Sequence, residues 1–188
     1  MEALRLRRMA KQVAGLSKVL DIGYSQCPNP YLSNENVVGL DLHAAHQPEN
    51  YTSVVAGDAN CLETLFPEAA FDAIVMGEFL EHLENPIGLL KQCRTVLKPG
   101  GRLVLSTPNP NSPIERLLTI PLSRSFFYTE AHVLLFPQRW LIRVMERAGF
   151  CDVKLISGGF PLPVLGLIPF PRPWCYQTVC VGRVGGAS

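Results

Sequence analysis

The sequence has no CxxC pair; its six cysteines, at 27, 61, 93, 151, 175 and 180, are scattered without zinc-site spacing. That excludes a zinc ribbon, and reduced thiols in a cytoplasmic protein are the plain expectation. No run of about 18 apolar residues occurs, which excludes a membrane-spanning helix. The Arg-rich start leads into no continuous apolar stretch, so it does not read as a signal peptide. Internal repeats and low-complexity linkers are also missing. Charge is nearly balanced, 17 Lys and Arg against 16 Asp and Glu, so nucleic acid is not an expected partner. What is present, 47% hydrophobic and 18% charged residues in a chain of 188, suits a single globular domain over 1–188.

Residues 2–16 place Leu4, Leu6, Met9, Val13 and Leu16 at near-helical spacing, with Arg5, Arg7, Arg8 and Lys11 between them. The pattern predicts a short basic amphipathic helix over 1–16, packed across the domain edge or laid on an anionic membrane surface. Apolar runs bounded by turn residues follow at 19–22, 37–42, 53–56, 71–76 and 102–106. Runs apolar throughout suit strands buried on both faces. Between the fourth and fifth lies a helix that Asn85 caps, Pro86 opens and Lys98-Pro99-Gly100-Gly101 stops; Ile87, Leu90, Cys93, Val96 and Leu97 form its inner stripe. A second helix, near 137–148, opens at Pro137, buries Trp140, Leu141, Val144 and Met145, and ends at Gly149. Strands alternating with helices mean a parallel α/β sheet, and ligands of such sheets bind beyond the carboxyl ends of the strands.

Those ends carry acids. Asp21 and Gly23 follow the first strand, Asp41 the second, and Gly57-Asp58-Ala59 the third. A carboxylate at Asp41 suits the two hydroxyls of a ribose, and Asp58 suits an exocyclic amine of adenine. Asp is also common at these junctions as a helix cap. A dinucleotide site would want G-x-G-x-x-G after the first strand, whereas this loop has Ser25 and Cys27 and then Pro28-Asn29-Pro30. The missing glycines count against a pyrophosphate cofactor more than against a nucleoside with a sulfonium tail.

The stretches VLDIGYSQ, VVGLDL, AGDAN, FDAIVMGEFLEHLENP, LLKQCRTVLKPGGRLVLSTPNP and WLIRVMERAGF together resemble the successive motifs of class I S-adenosylmethionine-dependent methyltransferases. The ubiquinone O-methyltransferase-like branch, with small bacterial glycan and natural-product enzymes, is the nearest in appearance. The resemblance covers roughly 17–156. It implies a Rossmann-like α/β fold, a seven-stranded mostly parallel sheet with an antiparallel last strand supplied by 175–184 and helices on both faces. It also implies S-adenosylmethionine contacts at Asp21, Gly23, Tyr24, Asp41, Leu42, Asp58, Ala59 and Gly77. The departure is Ser25 and Cys27, where the family usually has glycine.

Glu78, Glu81 and His82 spell E-x-x-E-H past the fourth strand. If this stretch turns helically, the three converge, and two carboxylates with an imidazole suit Mg²⁺ or Mn²⁺. The set resembles a metal motif of ubiquinone-pathway and small-RNA methyltransferases, with His132 as a further ligand. The alternatives are a metal-free catalytic base, His82 or His132, and a structural pair. The segment 107–136 is long enough for a lid, with Phe126, Phe127, Tyr128 and His132 to line a pocket. The segment 158–173 carries five prolines among apolar residues; it is neither a regular helix nor a central strand. It covers the core, joins a homodimer, or docks on a membrane surface or lipid-linked substrate. The function expected is methyl transfer to an oxygen of a small molecule or glycan, by a cytoplasmic or membrane-peripheral enzyme; the alternative is a non-catalytic partner subunit of the same fold.

Overall fold

The computed structural model describes residues 3–44, 46–113, 132–162 and 166–186. Each apolar run is a strand: β1 (Lys18–Ile22), β2 (Asn36–Asp41), β3 (Ser53–Ala56), β4 (Phe71–Gly77) and β5 (Leu97–Pro108). They are followed by β6 (Phe150–Ser157), a hairpin of β7 (Phe160–Leu162) with β8 (Gly166–Ile168), and β9 (Gln177–Val184). Seven of them form one sheet in the order β3-β2-β1-β4-β5-β9-β6. The first five strands pair in parallel; β9 runs antiparallel to both β5 and β6. This is the Rossmann-like sheet the motifs imply.

Among the described residues four helices cover it: α1 (Ala3–Val13), α2 (Leu62–Leu65), α3 (Pro86–Val96) and α4 (Gln138–Arg147). Met9, Ala10 and Val13 of α1 pack on one face against Val19, Val37, Val75 and Val104. Leu62, Leu90, Cys93, Leu141 and Met145 of the other helices pack on the opposite face against Leu20, Ile74, Met76 and Leu103. The apolar stripe of α1 is therefore spent largely on the sheet, as the domain-edge reading expects. As the sequence predicts, the Asn85 side chain accepts from the Gly88 N–H (3.0 Å), Pro86 opens α3, and α4 ends at Gly149 with φ 91°. Trp140 is a correction. It is 61% exposed, because Leu141, Met145 and Ala148 hold the inner stripe and Trp140 starts the outer one, beneath the Arg143 guanidinium.

The β1-to-β2 connection contains no long helix. Pro28 and Pro30 forbid one, and after a single 3₁₀ turn at Tyr24–Gln26 side-chain amides hold the loop instead. Asn29 Nδ2 donates to the Leu6 carbonyl (3.1 Å), and Asn50 Nδ2 to the carbonyls of Asn29 and Leu32 (3.0 Å each). The proline-rich segment pairs β7 with β8 outside the main sheet, and the rings of Phe160 and Phe170 stack at 4.4 Å. All six cysteines are free thiols. Among the described residues no helix is long and apolar enough to cross a membrane. Phe126, Phe127 and Tyr128 lie outside the described residues.

Candidate active site

Parallel strands bring Ile22, Asp41, Ala56 and Gly77 to one edge of the sheet. Gly23 sits there with φ 77°, where a Cβ would lie 2.5 Å from the Phe79 ring. Only glycine suits both the left-handed backbone and that close approach. Its N–H donates to the Leu40 carbonyl at 2.8 Å, which fastens the turn to β2.

Beneath the turn, Asp21 is 4% exposed. Its carboxylate accepts from the Tyr51 hydroxyl, whose oxygen in turn accepts the Asn29 N–H at 3.0 Å. Burial raises the Asp21 pKa to about 7, against the opposing pull of the Tyr51 hydrogen bond and the Arg5 charge. Asp21 is thus a carboxyl near half-ionisation at neutral pH.

The cation is Arg5, from the first turns of α1 and 1% exposed. Its Nη1 donates to Ser106 Oγ (2.9 Å) and lies 3.6 Å from Glu78 Oε1. Its Nη2 reaches Cys27 Sγ at 3.9 Å, and a Cβ on Gly77 would stand 3.0 Å from Nη1. Arg5, Asp21, Gly23, Cys27, Asn29 and Gly77 line a narrow cavity of about 10 Å³, hardly room for a water. Sequence reasoning missed Arg5, Ser106 and Tyr51. A signal for Arg5 existed: at 5, 9 and 13 it shares the helical stripe of Met9 and Val13.

Asp41 is half-buried; its Oδ2 accepts from the Ser25 N–H and its Oδ1 from the His43 N–H, both at 3.2 Å. The carboxylate therefore ties the two loops that flank it, and Leu42 beside it is 64% exposed. Asp58 is exposed and caps its own turn, accepting from Asn60 N (2.8 Å) and Nδ2 (3.0 Å), while Ala59 is buried beneath. Tyr24 is a core residue. Its ring packs where a Cβ of Gly39 would come within 2.7 Å, and its hydroxyl donates to the His46 carbonyl at 2.9 Å. Nothing of its side chain faces the cavity lining.

Past β4 the chain turns at Glu78, φ 50°, and runs through a 3₁₀ turn at Leu80–His82. That geometry splits the E-x-x-E-H motif. Glu78 points to Ser106, whose hydroxyl donates to Glu78 Oε1 at 3.0 Å, and to Arg5. Glu81, His82 and His132 converge instead, with one possible ligand atom from each within 4.8 Å of the others. The imidazoles meet edge to face at 4.7 Å. The Glu81 backbone carbonyl accepts the N–H groups of Val133 (2.9 Å) and Leu134 (3.0 Å), which brings His132 to the site. Glu81 is fully buried and neither carboxylate oxygen has a hydrogen-bond partner among the described residues. Burial, with Glu78 nearby, lifts its pKa to about 8. Burial and His82 lower that of His132, so its imidazole is neutral at pH 7. Two orphaned carboxylate oxygens beside two imidazoles are a donor set that fits a divalent cation, without the Glu78 that the sequence pattern includes.

The family model for a methyltransferase domain matches residues 3–155. The chain belongs to the class I S-adenosylmethionine-dependent methyltransferase family. It is 32% identical over 153 residues to a Mycolicibacterium smegmatis protein named "Probable S-adenosylmethionine-dependent methyltransferase", covering 77% of this chain and 55% of that one. It is 30% identical over 125 residues to the ubiquinone biosynthesis O-methyltransferase of Acinetobacter baylyi, covering 57% and 51% respectively. The chain thus spans about half the length of the curated relatives it matches. A Thermotoga maritima structure titled a SAM-dependent methyltransferase, possible histamine N-methyltransferase, superposes with TM-score 0.75 at 20% identity, over 96% of this chain and 88% of that one. That likeness concerns the fold.

Proposed function

We propose that this methyltransferase-family chain binds S-adenosylmethionine at the β1, β2 and β4 ends and methylates a hydroxyl of a small molecule or glycan. The observation that carries the reading is the Glu81–His82–His132 cluster, whose Glu81 and His82 follow closely on the β4 end at Gly77. A neutral imidazole there suits deprotonation of an acceptor hydroxyl. The relative named as an ubiquinone biosynthesis O-methyltransferase supports oxygen as the nucleophile.

When bound, S-adenosylmethionine supplies an electrophilic methyl group on a sulfonium. Arg5 and Asp21 would hold the charged amino-acid end, and the Asp41 carboxylate, which retains free lone pairs, the ribose. The acceptor oxygen would gain the methyl carbon as the sulfonium–methyl bond breaks and the neutral thioether leaves, and its proton would pass to the imidazole of His132 or His82. Alignment supplies much of the acceleration in such a displacement. In place of that base role, Glu81, His82 and His132 would together hold Mg²⁺ or Mn²⁺; such an ion, when bound, lowers the pKa of a coordinated hydroxyl.

The deciding experiment is calorimetric titration of the protein with S-adenosylmethionine and its demethylated product, in Mg²⁺ and in EDTA, followed by a screen of phenols and sugars for methyl transfer. Micromolar binding with turnover of a hydroxyl acceptor upholds the reading; binding with turnover of amines alone overturns the oxygen assignment. A second reading, a non-catalytic partner subunit, is favoured by the 10 Å³ left between α1 and the strand ends. Absence of binding to either ligand by folded protein would decide for it.

A further inference from the structure

The near-zero net charge conceals a division. Residues 19–90 contain eleven Asp and Glu and no Lys or Arg. These residues build most of β1 to β4, so the acids belong to that half of the sheet, and the bases fall on α1, on the start of β1, and from α3 onward on α3, α4 and the β5-β9-β6 end. At that basic end lies a cavity of about 620 Å³, a volume ordinary for organic ligands. Four cations, Arg102, Lys154, Arg172 and Arg183, line it over an apolar floor that includes Ile156 and Val181. Antiparallel pairing explains why they meet: Arg102 lies opposite Arg183 across β5 and β9, and Lys154 opposite Val181 across β9 and β6.

None of the four forms an ion pair with a described residue. Asp152 also lines the cavity, yet it stands outside ion-pair distance of them. Like charges gathered without counter-charge repel one another, and a cleft with low-dielectric walls focuses their field on whatever anion enters. Arg102 is half-buried and already fixed, since its Nη1 donates to the Gln12 carbonyl at 2.7 Å. A fixed guanidinium loses little entropy on meeting an anion.

We propose that this cavity is a second ligand site, distinct from the cofactor edge, for an organic polyphosphate: a molecule with two or more phosphoryl groups for the arginines and an apolar part for the Ile156–Val181 floor. Several charges are needed to match four cations. An enclosed floor of aliphatic side chains suits a discrete molecule better than a flat lipid surface or a nucleic-acid backbone.

The probe is tripolyphosphate, titrated calorimetrically into the full chain at low and at 0.3 M salt, with a melting curve for every variant. Binding is expected at low salt, tighter than for orthophosphate and weakened about tenfold by the added salt. Lys154→Gln with Arg183→Gln, both at exposed positions, should weaken it at least about tenfold while S-adenosylmethionine affinity stays unchanged. Asp152→Asn should strengthen it about threefold. Asp152 has φ 51°, a conformation Asn tolerates, so that gain of binding is read in a protein that folds. No tripolyphosphate binding by the melted-and-verified folded chain overturns the proposal, as does binding that the double substitution leaves intact. If anionic vesicles or a single-stranded RNA retain the chain in a Lys154- and Arg183-dependent way while tripolyphosphate does not bind, the face is a docking surface and the ligand site is likewise refuted.

Discussion

At the scale of single residues, the proposed grip on the cofactor's amino-acid end rests on Arg5 and Asp21. The loop after β1 has Ser25 and Cys27 where the family usually has glycine, and Arg5 brings a buried guanidinium from α1 to the same cavity lining as Asp21 and Gly23. Arg5→Gln is therefore expected to weaken S-adenosylhomocysteine binding by about 2 kcal/mol, the scale of one charged hydrogen bond, and to leave methylthioadenosine, which lacks the carboxylate, nearly unaffected. Equal losses for both ligands in calorimetry would place Arg5 in the fold rather than the site. Asp21 sets a pH dependence. Its folded pKa, about 7, lies above its ordinary value of 3.8, so the folded chain takes up a proton that the unfolded chain releases. Stability from this group is full below pH 4 and falls as pH rises to about 7. A cationic ligand favours the ionised form, so its affinity should move the other way, rising about tenfold from pH 6 to pH 8. Asp21→Asn should flatten that profile; a profile equally steep in the variant would assign the titration to another group.

At the scale of elements, what the chain announces locally was legible and what depends on distant contacts was not. Five strands and the helices α3 and α4 follow from apolar runs and from Asn85, Pro86, Pro137 and Gly149, each of which acts within a few residues of itself. Trp140 was misplaced because a Trp beside a Leu looks buried until the helix face is fixed by what α4 packs on. All three residues of the E-x-x-E-H motif converge only if the stretch turns helically, and a backbone of φ 50° at Glu78 turns its first carboxylate toward Arg5 instead. Tyr51, 30 residues from Asp21, has no periodic signature at all. Gly23 was legible as a turn, and the structure adds why it has no substitute. Gly23→Ala combines a left-handed alanine, about 1–2 kcal/mol, with a Cβ 2.5 Å from the Phe79 ring. The variant should melt lower and lose S-adenosylmethionine binding by more than its stability loss alone explains. Unchanged affinity would show that Phe79 gives way freely and that the turn does not shape the site.

At the scale of the whole molecule, the buried Glu81 links the site to stability. A fully buried carboxyl with both oxygens unpartnered is held neutral at pH 6.5, since its pKa stands near 8. Glu81→Gln replaces that neutral acid with a neutral amide of the same size, so the metal-free variant should melt within about 2 °C of the native chain. Divalent ions separate the two. A cation on Glu81, His82 and His132 binds the folded state alone, because only folding brings His132 to the β4 loop through the Glu81 carbonyl. Mn²⁺ at 100 times its Kd stabilises such a state by about 2.7 kcal/mol, which for a chain of this size raises Tm by about 5–10 °C. The rise should be lost in Glu81→Gln and in His132→Ala, and should diminish as pH is lowered, since ligands must shed their protons to bind. A native chain whose Tm ignores Mn²⁺ would leave the cluster to metal-free chemistry, with His132 as the base. A shift that persists in both variants would place the ion elsewhere, and the acidic β1–β4 half, with its eleven carboxylates and no lysine or arginine, would be the region to search.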